Sequence, residues 1–177
     1  IPLPLSAIQA LKKGTDAELT VLGDTEGNRN YERHMENLKT MCGDYLERKI
    51  RFVSSVEHSK MKSFYDGFDV LLNCSLRDSG CFVVMEAMSR SLPVICVNTG
   101  GPRVNTTSET AIKIEPAPMD KMIDECSEAI ERLATDSLQR EKMGLMARKY
   151  ALNNFLISER TNRMNEFYDI AVRKYER

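Results

Sequence analysis

Residues 71–105 read LLNCSLRDSGCFVVMEAMSRSLPVICVNTGGPRVN, and their pattern decides the fold class. Leu71 and Leu72 end an apolar run, and Arg77-Asp78-Ser79-Gly80 breaks it. Val83, Val84, Ala87 and Met88 then recur at helical spacing. Residues 93–97 form a second apolar, β-branched run, and Gly100-Gly101-Pro102 predicts a turn. Strand, polar loop, helix and strand in this order make two parallel neighbours joined by a crossover. The first loop then falls at the carboxyl edge of the sheet, where open α/β folds bind ligands.

Two acids frame this unit, Asp78 in the loop and Glu86 in the helix, with seven residues between them. Ser79, Gly80, Cys81 and Phe82 lie where the helix begins. Backbone N–H groups at a helix start lack intrahelical acceptors, and the helix dipole favours negative charge there. A phosphate fits such a loop, and acids on either side of it fit hydroxyls. That is the chemistry of a nucleotide-sugar site. A plainer reading stands beside it: Asp78 as a helix cap and Glu86 as a solvated helix residue. Spacing alone leaves both open.

Outward from this unit the chain alternates. A short helix is predicted over 6–11, stopping at Lys12-Lys13-Gly14, and a strand over 19–22, closed by Gly23-Asp24. Residues 30–43 place Tyr31, Met35, Leu38 and Met41/Cys42 on one helical face. Residues 50–53 read as a strand, and Ser55 or Val56 as the start of a helix carrying Met61, Phe64 and Tyr65. Further strands are predicted over 69–73 and 111–114. The rest is helical: an amphipathic stripe from Met119 to Leu133, a second helix over 137–152, and a third from about Ser158 marked by Met164, Phe167, Tyr168, Ala171, Val172 and Tyr175. Such alternation means a parallel α/β sheet with helices on both faces.

The 177 residues suffice for one ordinary domain, and the whole stretch 1–177 is read as one. With 42% hydrophobic and 29% charged residues the chain is globular in composition. A formal charge of −1 gives no reason to expect a nucleic-acid partner. Five scattered cysteines without a C-x-x-C pair point to a reducing, cytoplasmic compartment, with Cys74 and Cys96 as buried strand thiols. Two histidines, His34 and His58, offer no metal cluster. No apolar run approaches membrane-spanning length. Ile1-Pro2-Leu3-Pro4 reads as the tail of something upstream.

Asp78-Ser79-Gly80-Cys81, Met85-Glu86-Ala87-Met88, Leu92-Pro93-Val94-Ile95 and Gly100-Gly101-Pro102 follow one another in fixed order. Together they resemble the signature of the group 1 retaining glycosyltransferases of the GT-B fold, E-G-F-G-x-x-x-x-E-A-M-A-x-G-x-P-V-I followed by a G-G loop. The acid spacing is kept, with Asp78 in place of the first Glu. A variant branch of the family reads D-S-G-G here. Ser91 stands where a glycine is usual, and Val104 where an acid often follows the G-G loop. The region from Ala10 to Asp24, residues 50–56, 64–69 and 140–150, and Phe155 are similar to further family segments, so nearly the whole chain resembles the C-terminal half of such an enzyme.

The resemblance implies a Rossmann-like doubly wound parallel sheet in a three-layer α/β/α sandwich. It implies the donor-binding domain of an enzyme that moves a sugar from a nucleoside-diphosphate sugar to an acceptor glycan, lipid or small molecule, with retention. Asp78 is then assigned to the transferred sugar as the catalytic-site acid, and Glu86 to the ribose diol. The N–H groups of Gly80, Cys81 and Phe82, with Ser79, would face phosphate or sugar, and Ser55 and Val56 would lie near the base. Gly100 and Gly101 read first as a tight turn and second as an approach to the sugar. Arg103 reads first as a solvated side chain and second as a phosphate contact. No metal or other cofactor is implied; the donor is substrate. The family's acceptor domain and its basic G-R-x-x-x-x-K-G loop are not matched, and Lys12 and Lys13 read as solvated residues at a helix end. The fragment alone is therefore expected to be inactive, and any contact with the inner face of a membrane is expected through the N-terminal domain. A nucleotide-binding module without transfer chemistry is the competing reading, and a sugar-nucleotide epimerase is disfavoured by the E-A-M and P-V-I steps.

Overall fold

The computed structural model describes residues 3–23 and 29–175. Asp24, expected to close the first strand, lies outside them, as do Ile1, Pro2 and the side chains of Tyr31 and Met35. Helix α1 (Leu3–Lys12) is followed by β1 (Leu19–Leu22), α2 (Arg29–Cys42), β2 (Ile50–Val53) and α3 (Met61–Tyr65). The next elements are β3 (Leu71–Asn73), α4 (Phe82–Ser89), β4 (Val94–Val97), α5 (Gly100–Asn105) and β5 (Ala111–Ile114). Three long helices end the chain: α6 (Met119–Thr135), α7 (Ser137–Asn154) and α8 (Ile157–Tyr175).

Every strand pairing is parallel. β3, β4 and β5 form one sheet in that order, with Leu71 opposite Val94 and Val94 opposite Ala111. β1 and β2 form a second, with Leu19 opposite Ile50. Strand β4 is buried at all four residues, as its uninterrupted apolar run requires of a central parallel strand. Each such side chain contributes about 1.5–3 kcal/mol by leaving water.

Helices cover the strands from two sides. On one face, α1 and α2 pack on β1 and β2 through Ala7, Ile8, Cys42 and Ile50. On that same face α6 lays Met122, Cys126, Ala129 and Leu133 over Ile95, Val97 and Ile114, and α1 packs against it. On the other face, α4 and α7 enclose Val94 and Cys96 with Val84, Met88, Ala147 and Ala151, and α3 adds Tyr65 beside Ala87. This is the expected three-layer α/β/α arrangement.

Two local expectations are corrected. The chain after β2 does not turn helical at Ser55 or Val56; residues 54–57 are irregular, and a 3-10 turn (His58–Lys60) precedes α3. Gly100-Gly101-Pro102 is not a simple turn but the opening of α5. Pro102 needs no N–H donor in a helix's first turn, so it fits there.

The step from α4 to β4 explains the unusual Ser91. Ser91 N–H donates to the Met88 carbonyl and Leu92 N–H to the Ala87 carbonyl, both at 3.1 Å. That double bond pattern is a Schellman cap, which needs a left-handed residue, and Ser91 has φ +65°. A glycine meets that need without strain. Its carbonyl abuts Gly144 of α7 so closely that any Cβ there would collide with it.

Candidate active site

Strand β3 ends in Asn73, and its side chain organises the loop that follows. Asn73 Oδ1 accepts the Ser75 N–H at 3.0 Å, and Nδ2 donates to Cys81 Sγ at 3.2 Å. The loop closes on itself through Asp78, whose Oδ1 accepts the Cys81 N–H at 2.8 Å. Cys81 has φ +50° and directly precedes α4. The left-handed turn there is the physical reason for a glycine in the family pattern at this position. Here a buried thiol occupies it instead. Burial and the Asp78 carboxylate push that thiol up to about 12. It is therefore protonated at neutral pH and no nucleophile, although a helix start ordinarily favours a thiolate.

A second segment braces the loop from behind. Gly101 N–H donates to the Asp78 carbonyl at 2.7 Å, Asn105 Nδ2 to the Gly80 carbonyl at 2.9 Å, and Thr99 Oγ1 to the Leu76 carbonyl at 3.4 Å. The approach is too close for side chains. A Cβ at Gly101 would stand 2.7 Å from the Ser79 carbonyl oxygen, and one at Gly100 would overlap the Asp78 carbonyl. The glycine pair is thus a buttress for residues 76–81, and both glycines sit against the loop rather than in it. Of the N–H groups expected to meet a ligand, that of Cys81 is already held by Asp78. Those of Gly80 and Phe82 have no acceptor among the described residues.

Glu86 lies one turn into α4 and is half-buried. It is not a solvated helix residue: Tyr65 Oη donates to its Oε2 at 3.0 Å. Tyr65 is 6% exposed, and burial, reinforced by Glu86, raises its phenol above the ordinary value, so it stays a donor. Arg90 Nε and Nη2 grip both oxygens of Asp66 at 2.7 and 2.6 Å, which ties the ends of α3 and α4 together. Tyr65 was legible in the sequence only as part of an apolar helix face; a tyrosine rather than a phenylalanine at a buried position was the available signal.

The other expected residues lie further out. Phe82 is 65% exposed at the start of α4, and Ser79 is exposed. Ser55 is exposed and Val56 half-buried in the loop after β2. The Arg103 side chain is exposed, while its carbonyl accepts Lys113 Nζ at 3.0 Å. Lys12 and Lys13 are exposed, with Lys13 3.9 Å from Glu131. Among the described residues no cluster of three metal-ligating side chains occurs, and no helix is long and apolar enough to cross a membrane.

Residues 2–150 match the family described as glycosyl transferases group 1. The chain belongs to this family. It is 26% identical over 148 residues to the D-inositol 3-phosphate glycosyltransferase of Corynebacterium diphtheriae, covering 82% of this chain and 33% of that one. The fold matches the crystal structure of the C-terminal domain of a group 1 family protein from Francisella tularensis, with TM-score 0.73, 19% identity, and coverage of 88% of this chain and 78% of that one. It also matches an Anabaena protein crystallised with UDP and glucose, with TM-score 0.73, 15% identity, and coverage of 92% and 44%. The chain spans about a third of the length of the curated relatives it matches. This group 1 chain thus has the architecture of GT-B C-terminal domains.

Proposed function

We propose that residues 1–177 are the donor-binding domain of a retaining glycosyltransferase that moves a sugar from a nucleoside-diphosphate sugar to an acceptor hydroxyl. The observation that carries this reading is Glu86. Its carboxylate is half-buried, and the Tyr65 hydroxyl fixes one oxygen. The other oxygen remains for a ribose diol, for which a carboxylate is the natural acceptor. The start of the same helix offers the N–H groups of Gly80 and Phe82 to phosphate.

In the reaction the bond from the anomeric carbon to the diphosphate oxygen breaks, a bond to the acceptor oxygen forms on the same face of the sugar, and the acceptor's hydroxyl proton passes to the leaving diphosphate. Charge develops on the leaving diphosphate, so fixed donors aimed at it lower the barrier. Asp78 is the residue assigned to hydroxyls of the transferred sugar, and Ser55 and Val56 to the neighbourhood of the base. Cations for the diphosphate and the acceptor surface are assigned to the remainder of a longer protein. The chain alone then binds a nucleoside diphosphate weakly and transfers nothing.

A module that binds nucleotide without transfer is the second reading. One observation favours it: the Asp78 carboxylate is already engaged by the Cys81 N–H.

The test is calorimetric titration of UDP, GDP, ADP and CDP into a longer protein containing this chain, as wild type and as Glu86→Gln. One diphosphate is expected to bind, and the variant to bind it about 5-fold more weakly, since a charged acceptor becomes a neutral one. Equal affinity in the two proteins would remove Glu86 from the site, and no binding of any diphosphate would sink the proposal.

A further inference from the structure

We infer that Tyr65 is a positioning residue for donor selection: its hydroxyl sets the plane of the Glu86 carboxylate, so that two neighbouring ribose hydroxyls are accepted together and a 2′-deoxyribose is disfavoured. Tyr65 acts through Glu86, so its role rests on the reading of Glu86 as the ribose-binding acid.

Two rungs join α3 to α4. Tyr65 Oη donates to Glu86 Oε2 at 3.0 Å. The next residue, Asp66, accepts Arg90 Nε and Nη2 at 2.7 and 2.6 Å. Glu86 and Arg90 are four positions apart at the end of α4, so they share one face of it. A two-point guanidinium–carboxylate fork is directional, so α3 cannot slide or roll against α4 without breaking it. Met61, Phe68 and Leu71 pack around Tyr65, Ala87 and Leu92 and close the corner. The phenol therefore cannot follow a moving carboxylate; the carboxylate is held where the phenol stands.

The corner is otherwise apolar. Phe64 and Phe68 meet edge to face in it, with ring centroids 4.9 Å apart. A phenylalanine at position 65 would fill the same space without burying a hydroxyl, and a buried hydroxyl costs free energy unless it is bonded. Burial raises the phenol above its ordinary value, and it stays a donor throughout the neutral range.

An ionised carboxylate has about four lone-pair sites. Tyr65 takes one, on Oε2, while Oε1 has no hydrogen-bond partner among the described residues. The terminal torsion of a glutamate is broad and soft. The Tyr65 bond fixes it before a ligand arrives, which lowers the ordering cost of binding. Two lone pairs of Oε1 then stand ready for two hydroxyls of one vicinal diol. A 2′-deoxyribose fills only one of them. A free carboxylate would turn to give its best geometry to the single hydroxyl and so blunt the difference. One held by Tyr65 cannot turn.

Calorimetry on a longer protein that contains this chain tests the role. The probes are whichever of UDP, GDP, ADP and CDP binds best, and its 2′-deoxy form. The wild type is expected to prefer the ribose form by about 10-fold, the loss of one hydrogen bond to a charged group. Tyr65→Phe is expected to reduce that preference to about 2-fold. In a Glu86→Ala background Tyr65→Phe is expected to leave affinity unchanged, because no carboxylate remains to be held. A tyrosine that serves the core alone would lower the melting temperature and leave the preference at its wild-type value, and that result would overturn the role of Tyr65. So would an equal effect of Tyr65→Phe with and without the Glu86 carboxylate. Equal affinity of the wild type for the two forms would instead overturn the reading of Glu86 itself, and the role of Tyr65 with it.

Discussion

Single residues carry the departures from the family pattern, and each has a measurable consequence. Ser91 sits at the left-handed position of a Schellman cap, where an L side chain costs about 1–2 kcal/mol. Glycine removes that strain but adds freedom to the unfolded chain, worth about 0.4–1 kcal/mol the other way. Ser91→Gly is expected to raise stability by about 0.5–1 kcal/mol in denaturant melts; a loss would show that the serine is not strained. Cys81→Gly differs, because the thiol is 3% exposed and bonded to Asn73. Relief of strain and loss of packing are expected to cancel there. Asp78 separates two roles. As a loop cap its Oδ1 accepts the Cys81 N–H, and an amide oxygen accepts that bond about as well. Asp78→Asn in the longer protein is therefore expected to keep the fold and the affinity for free nucleoside diphosphate while kcat falls strongly. Wild-type kcat in that variant would leave Asp78 as a cap alone.

At the scale of elements, the loop after β3 and the start of α5 act as one unit. Gly100 and Gly101 lie against the carbonyls of Asp78 and Ser79, and Gly101 donates to the first of these. Gly101→Ala is expected to lose about 1–3 kcal/mol, since backbone cannot yield as a flexible side chain does, and Gly100→Ala more, since its positive φ adds a left-handed cost to the collision. Gly43→Ala supplies the control: it has the same φ of +50° as Gly100 but open space around it. It is expected to cost only the 1–2 kcal/mol of the left-handed backbone. If Gly101→Ala, which has no positive φ, melts like the wild type, the buttress is not rigid. Helix α8 shows the limit of element-level reading. Its apolar spacing is legible in the sequence, yet Phe167 and Tyr168 are 65% and 62% exposed. Periodicity announces a helix with a face; it does not say what lies against that face.

At the scale of the molecule, the thiols report on the core. Cys74, Cys96 and Cys126 are 5% exposed or less, and Cys74 and Cys126 approach to 3.7 Å between sulfurs. Burial pushes the Cys96 thiol up, and the neighbouring Cys126 together with burial pushes Cys74 up. A neutral thiol is a poor nucleophile, and although Cys74 draws the Cys126 thiol down, burial keeps all three sulfurs out of a reagent's reach. All three are expected to resist an aromatic disulfide reagent in native buffer and to react at once in denaturant. Fast native labelling of Cys74 would mean that the layer of α6 over the sheet opens freely, and of Cys96 that the α4–α7 layer does.

The sequence by itself determined the alternation of elements, the parallel sense of the strands and the family. Those follow from local periodicity and from a fixed order of motifs within residues 71–105, and both survive without knowledge of distant contacts. It also placed Asp78, Gly80 and Glu86 on one loop–helix junction. Only the tertiary structure decided what those residues touch. Tyr65 reaches Glu86 across 21 positions, and Asn105 reaches Gly80 across 25. A gap between β1 and β3 exists only once two sheets are laid side by side. The physical reason is common to all three: local spacing fixes which way a side chain or a backbone edge points along its own element, while its partner is chosen by how the layers pack.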